Sequence, residues 1–130
     1  MYTDPLSDFL TRIRNAQHAH MESVDIPSSR MKFAIAKIFE REGYVGAISE
    51  HADGPRKTLS VILKYDGKQP TIRGISRVST PGRRVYRRAN ELPRVLSDIG
   101  IAVVSTSAGI MTNKEARKRK LGGEVLCEIY

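Results

Sequence analysis

The sequence predicts an α+β chain in two small lobes: an N-terminal α-β-α-β-β lobe over residues 1–66 and a C-terminal, mostly antiparallel β lobe with short helices over residues 67–130. Three observations carry this. Apolar residues recur at helical spacing in two segments of the first half, and that period largely disappears afterwards. Short apolar-polar alternations mark strands in both halves. The tract Asp66-Gly67-Lys68-Gln69-Pro70 between them is rich in turn formers. A chain of 130 residues is long enough for one domain or two small lobes.

In the first lobe, Asp4 is a good N-cap and Pro5 suits the first helical position, where its missing N–H costs nothing. Leu6, Phe9, Leu10 and Ile13 then form one apolar stripe. Val24 and Ile26 alternate with polar residues in a short strand ended by Pro27. Ser28 or Ser29 caps a second helix, whose buried face is Met31, Ala34, Ile35, Ile38 and Phe39, and Gly43 is its stop. Val45–Ser49 reads as a strand and His51–Lys57, with Asp53-Gly54-Pro55, as a loop. Leu59, Val61, Leu63 and Tyr65 alternate as in a half-buried strand.

In the second lobe, residues 71–78 read as a strand with a bulge at Gly74, where the apolar spacing slips. Pro81 and Gly82 occupy the centre of a type II turn. Arg83–Arg88 is a second strand, with Arg84, Tyr86 and Arg88 on one face. Asn90 caps a short helix that buries Leu92, Val95, Leu96 and Ile99 before Gly100. Ile101–Val104 is a buried strand. Thr112 and Glu115 are spaced as a capping box that opens a short basic helix. Gly122-Gly123 leads into the last strand, on which Val125, Cys127 and Ile129 share a face.

Charge separates the two halves. Twenty-two Lys and Arg against fourteen Asp and Glu give a net charge of +8. Residues 1–65 contribute +1 of it and residues 66–130 contribute +7. The excess forms two clusters, one of Arg73, Arg77, Arg83, Arg84, Arg87, Arg88 and Arg94, the other of Lys114, Arg117, Lys118, Arg119 and Lys120. Fourteen of the basic residues are Arg, whose planar fork suits phosphate. Such a chain is expected to have a polyanionic partner. The lone Cys127 allows no internal disulfide, and the Met1-Tyr2-Thr3-Asp4-Pro5 start lacks the pattern of a secretory leader, so the expected compartment is the cytoplasm. Cys127 with His18, His20 and His51 makes no metal-ligand set, so no metal and no cofactor is expected. No apolar run is long enough to span a bilayer, so no membrane partner is expected.

The most informative segment is Gly100-Ile-Ala-Val-Val-Ser-Thr-Ser-Ala-Gly-Ile-Met. A buried strand delivers Ser105, Thr106 and Ser107 into a loop with Gly109. Each hydroxyl donates and accepts, which suits the 2′-hydroxyls and base edges of an RNA minor groove. Gly109 allows close approach to a ligand. Alone, such a triplet is ordinary loop composition. Between two basic stretches it fits a division in which basic groups hold phosphate and hydroxyls do the close reading. Glu124 has a structural role by default, yet beside a groove it could accept from a base amine or a 2′-hydroxyl. Tyr86, flanked by Arg84 and Arg88, could stack on a base or serve as a plain strand aromatic.

The segment Gly100-x-x-Val103-Val104-Ser105-Thr106-x-x-Gly109-Ile110-Met111, followed by Ala116-Arg117, resembles the signature of the bacterial small-subunit ribosomal protein eight family. Further matches are Thr3-Asp4-Pro5 with Leu10-Thr11-Arg12-Ile13-Arg14-Asn15, Pro27-Ser28-Ser29, Arg77-Val78-Ser79-x-Pro81-Gly82 with Tyr86, Glu91-Leu92-Pro93 and Gly122-Gly123-Glu124. The resemblance implies a structural, non-enzymatic constituent of the small ribosomal subunit that binds the central domain of small-subunit ribosomal RNA early and helps to assemble the platform. It implies that the C-terminal lobe grips a distorted RNA helix through Ser105, Thr106, Ser107 and Gly109, with Tyr86, Arg84, Arg77, Gly123 and Glu124 near the same RNA. It implies that the N-terminal lobe touches a second RNA helix through Thr3, Asp4, Arg14, Ser29 and Arg30. Neighbouring small-subunit proteins, including the fifth and the twelfth, are expected partners. Because many relatives repress a ribosomal-protein messenger, so is the chain's own operon mRNA. Two positions depart from the pattern: Thr80 stands where many relatives carry a basic residue, and the run Arg117–Lys120 is more basic than is typical.

Two other function classes fit the sequence less well. A DNA-binding regulator needs a helix fit for the major groove. The basic residues of the second helix (Arg30, Lys32, Lys37, Arg41) are balanced by Glu40 and Glu42, so DNA is not an expected partner. A hydroxyl nucleophile at Ser105 or Ser107 needs a base, and all three histidines lie in the other half. No Gly-x-Ser-x-Gly elbow, Walker loop or dinucleotide fingerprint occurs.

Overall fold

The computed structural model describes residues 4–130 and divides into two compact units, Asp8–Ile72 and residues 4–7 with Arg73–Tyr130. The division expected after residue 66 thus falls six residues later. The turn-rich tract before it is itself a small hairpin, β4 (Tyr65–Asp66) with β5 (Gln69–Pro70), turned at Gly67 with φ +66°.

The unit Asp8–Ile72 has the expected element order. Helix α1 (Pro5–His18) starts where Asp4 accepts the Ser7 N–H at 3.3 Å, and Phe9, Leu10 and Ile13 of its stripe are buried. Strand β1 (Ser23–Pro27) is followed by α2 (Arg30–Arg41), and Ser29 is its cap, accepting the Lys32 N–H at 3.2 Å. The buried stripe of α2 is rotated relative to the expectation. Lys32 and Ala36 are buried, whereas Met31 is exposed. Lys32 stays inside because its stem packs and its ammonium donates to the Pro27 carbonyl at 3.1 Å. The expected loop His51–Lys57 is absent. Strands β2 (Val45–Asp53) and β3 (Arg56–Leu63) pair as far as Asp53↔Arg56, joined by Gly54-Pro55 alone. Their polar ends project into solvent, so no apolar signal marks them as strand. The sheet order is β1-β3-β2, antiparallel, with Ile26, Leu59, Val61, Val45 and Ile48 buried.

The second unit is built on β10 (Gly123–Ile129). Strand β8 (Ile101–Thr106) pairs along one edge and is flanked by β9 (Gly109–Thr112); β6 (Ile75–Arg77) and β7 (Tyr86–Arg87) share the other edge, all antiparallel. The expected strand 71–78 shortens to β6, and Gly74 is no bulge. A Cβ there would lie 2.3 Å from the Tyr130 ring, so the glycine makes room for that ring. The bulge lies on β10 instead, between Val125 and Cys127. It reverses the parity of the strand: Val125 pairs with Val104, but Cys127 and Ile129 pair with Val103 and Ile101 on the opposite face. The expected shared face of Val125, Cys127 and Ile129 is therefore corrected, although all three are buried.

The turn at Pro81-Gly82 is closed by reciprocal hydrogen bonds between Thr80 and Arg83, but Gly82 is not left-handed, so it is not type II. The strand expected over Arg83–Arg88 contracts to β7. The helix expected after Asn90 is replaced by a single 3-10 turn, Ala89–Glu91, and an irregular loop. Pro93 cannot donate to a helix ladder, and its carbonyl is taken by the Asn113 amide at 2.8 Å. Leu96, Ser97 and Asp98 then turn through left-handed φ values of +47°, +54° and +70°. Leu92 and Val95 are buried as expected; Leu96 and Ile99 are exposed. Helix α3 (Asn113–Lys118) is capped as expected, Thr112 accepting the Glu115 N–H at 3.1 Å. One core cluster joins Leu92, Val95, Ala102, Val104, Met111, Ala116 and Val125.

Candidate nucleic-acid interface

Pairing across the second sheet puts Tyr86, Glu124, Ser105 and Ile110 in one row, one residue from each of β7, β10, β8 and β9. Cross-strand partners share a face, so the four side chains stand side by side. Tyr86 is 64% exposed; the other three are half-buried. The next pairs are Arg87↔Gly123, Gly123↔Thr106 and Thr106↔Gly109.

The hydroxyl loop is the tip of the β8–β9 hairpin. Its three hydroxyls differ in situation. Thr106 Oγ1 donates to the Gly109 carbonyl at 2.8 Å and accepts the Ala108 N–H at 3.1 Å, so it frames the turn. Ser107 is exposed at the tip, and Ser105 is half-buried in the row beside Glu124. Gly109 has φ +117° with nothing near its missing side chain, so here glycine is required by conformation. At Gly123 the requirement is space: a Cβ would lie 2.1 Å from the Ser105 carbonyl oxygen.

Glu124 is held from two sides. The hydroxyl of Ser79, a residue with no exposed surface, donates to its Oε2 at 2.5 Å, and Arg84 donates to the same oxygen at 3.1 Å. Ser79 Oγ also accepts the Val85 N–H at 3.0 Å. Sequence reasoning assigned Ser79 no role. Its signals were its place before Thr80-Pro81-Gly82 and its position in the match Arg77-Val78-Ser79-x-Pro81-Gly82, neither of which names a partner.

Two expected contact residues face inward. The Arg77 guanidinium is 12% exposed, pairs with Asp4 at 3.2 Å and donates to the Leu126 carbonyl at 2.7 Å. Burial alone would raise the Asp4 carboxyl, but hydrogen bonds from Ser7 and Arg77 outweigh it and hold its pKa below the ordinary value. Arg77 and Asp4 thus clamp residues 4–7 to their unit rather than present charge to solvent. Arg14 is half-buried on α1, and Ser29 and Arg30 are exposed at the start of α2, in the other unit. Thr3 lies outside the described residues.

The two basic clusters come together at Gly122. A Cβ there would lie 2.6 Å from the Arg87 carbonyl oxygen and 2.9 Å from Arg88 Cα, so the end of the Arg83–Arg88 stretch abuts the residue just after Lys118-Arg119-Lys120-Leu121. Among the described residues, Arg83, Arg88, Lys118, Arg119 and Lys120 are exposed and make no ion pair. Arg117 is half-buried and donates to the Pro93 carbonyl at 3.4 Å. Among the described residues no group of three or more His, Cys, Asp or Glu is placed to hold a metal ion, and no helix is long and apolar enough to cross a membrane. Burial pushes the Cys127 thiol up to about 12. Chemically the arrangement offers neutral hydroxyls, an aromatic face and unneutralised cations, and its one carboxylate, Glu124, is already engaged by Ser79 and Arg84.

Comparison with known proteins identifies the family. The family model described as ribosomal protein S8 matches residues 4–130. The chain is 56% identical to the small ribosomal subunit protein uS8 of Caldanaerobacter subterraneus subsp. tengcongensis over 129 residues, 98% of each chain. It is 53% identical to uS8 of Kosmotoga olearia over 134 aligned positions, covering 100% of both. It is 51% identical to uS8 of Synechococcus sp. strain CC9311, with 98% of this chain and 97% of that one covered. A match that runs through β1, the hydroxyl hairpin and the last strand alike leaves a single assignment: the chain belongs to the ribosomal protein S8 family.

Proposed function

We propose that the second unit binds a distorted, mostly double-helical stem in the central domain of small-subunit ribosomal RNA. As a member of its family the chain is a structural constituent of the small ribosomal subunit, works in the cytoplasmic ribosome and is not an enzyme. In the proposal, Ser105 and Ser107 face the minor groove, Tyr86 packs on a base or sugar, and the exposed arginines and lysines hold the flanking phosphates. The observation that carries it is the row Tyr86–Glu124–Ser105 beside an exposed hairpin tip, bordered by unpaired cations. Thr106 shapes the tip, and Arg77 and Asp4 support the unit from inside. Arg14, Ser29 and Arg30 contact a second RNA helix, and the fifth and twelfth proteins adjoin the chain during platform assembly. A ribosomal-protein messenger folded into a like stem would meet the same surface, so repression is a corollary to be read by competition.

The test is binding of the stem and of a scrambled stem across salt. About six neutralised phosphates give a slope of log K against log salt of roughly −5. Ser107→Ala is expected to lose selectivity between the two stems with the salt slope kept. Equal losses on both stems would remove the reading role from the loop. Preference for duplex DNA over the stem at equal salt would overturn the RNA assignment.

A further inference from the structure

We infer that Ser79 is a positioning residue for the RNA site, fixing Arg84 and Tyr86 opposite the hydroxyl hairpin through Glu124; this rests on the RNA-binding reading above. Ser79 closes a circuit of hydrogen bonds. Its N–H donates to the Val125 carbonyl at 3.1 Å, and the Val125 N–H donates to the Val85 carbonyl at 2.9 Å. The Val85 N–H returns to Ser79 Oγ at 3.0 Å. The hydroxyl thus takes the place of a strand carbonyl and docks the segment after the Pro81-Gly82 turn onto β10.

Its proton then goes to Glu124 Oε2 at 2.5 Å, the oxygen that also receives Arg84 Nη1 at 3.1 Å. A side chain with no exposed surface therefore fixes a carboxylate, and the carboxylate fixes a guanidinium that is 49% exposed. Arg84 spends one donor on Glu124. A guanidinium carries five, so the rest remain for a phosphate. The sign of Glu124 fits this role. An acid that met phosphate directly would repel it, whereas one that holds an arginine in a fixed direction lowers the entropy lost when the arginine binds.

The experiment compares Ser79→Ala, Arg84→Ala, the double variant and wild type in two ways. In the free protein, amide exchange at Val85 is expected to accelerate at least about tenfold in Ser79→Ala, since its acceptor is gone. With the stem RNA, Ser79→Ala is expected to flatten the salt slope by about 0.9, as though a cation had been removed, although the substitution changes no charge. At 0.1 M salt that corresponds to a loss of roughly eightfold in affinity. The double variant should match Arg84→Ala alone. Unchanged Val85 exchange, an unchanged slope (whether or not affinity falls), or additive effects in the double variant would each overturn the inference. Should Ser79→Ala fail to fold, Ser79→Cys serves: it keeps the buried volume, replaces the hydroxyl by a weak donor and acceptor without changing charge, and should flatten the slope in the same way. Failure of the RNA reading is separate, for it appears as a wild type that does not distinguish stem from scrambled stem.

Discussion

Gly123→Ala is expected to destabilise the second unit, not merely to weaken a ligand contact. The added Cβ would stand 2.1 Å from the Ser105 carbonyl oxygen, 2.9 Å from its carbonyl carbon and 3.2 Å from Thr106 Cα. An ordinary carbon–oxygen contact is about 3.3 Å or longer, so the backbones must part by roughly 1.2 Å. All three atoms are main chain, so no side chain can yield. The movement falls where β10 pairs with β8 at Gly123↔Thr106 and Glu124↔Ser105. Overpacking of this kind costs about 1–3 kcal/mol, and loss of one ladder bond adds about 1, so the expected cost is about 2–4 kcal/mol. With a urea dependence of roughly 1.5 kcal/mol/M, the midpoint should fall by about 1.3–2.7 M. Urea unfolding of both proteins by circular dichroism measures this. A midpoint within about 0.2 M of wild type, together with reduced RNA affinity, would refute the steric argument and return Gly123 to the role of a residue the RNA approaches closely.

Ser97→Gly should stabilise the chain by roughly 0.5–1 kcal/mol, because Ser97 sits at φ +54° where a Cβ is penalised; a lower thermal midpoint would contradict that. The Asp4 carboxyl has a folded pKa below its ordinary value, so its contribution is fully present above the unfolded pKa, about 4, and is lost as pH falls through the folded one. The stability gap between wild type and Asp4→Asn should therefore shrink on acidification from pH 6 toward pH 2, and a gap constant over that range would exclude the linkage. Cys127 is fully buried with its thiol pushed up to about 12, so native protein should resist alkylation at pH 8 while unfolded protein reacts at once; rapid native labelling would show otherwise.

The sequence was most informative where local chemistry decides structure. The Thr112 cap, the Gly43 stop, the alternation in β3 and the α1 stripe follow from capping and periodicity, and each is observed. It was least informative where a distant group decides. Leu92, Val95, Leu96 and Ile99 have helical spacing, but the fully buried Asn113 takes the Pro93 carbonyl and the Ala102 N–H, and the segment runs irregularly. The face of Val125 depends on a bulge that no residue type announces. Within the candidate site, the hairpin that carries the hydroxyls and the exposure of most of the cations agree with composition and order. The duties of Arg77 and Ser79 were not legible, since both depend on partners 45 or more positions away in sequence, Leu126 and Glu124.

The doubly tied Thr106 has a consequence for shape-matching. A hairpin tip braced by its own threonine has little freedom left to surrender when something docks against it. On the proposed reading the RNA does the bending, so the protein acts as a mould and the nucleic acid as the casting.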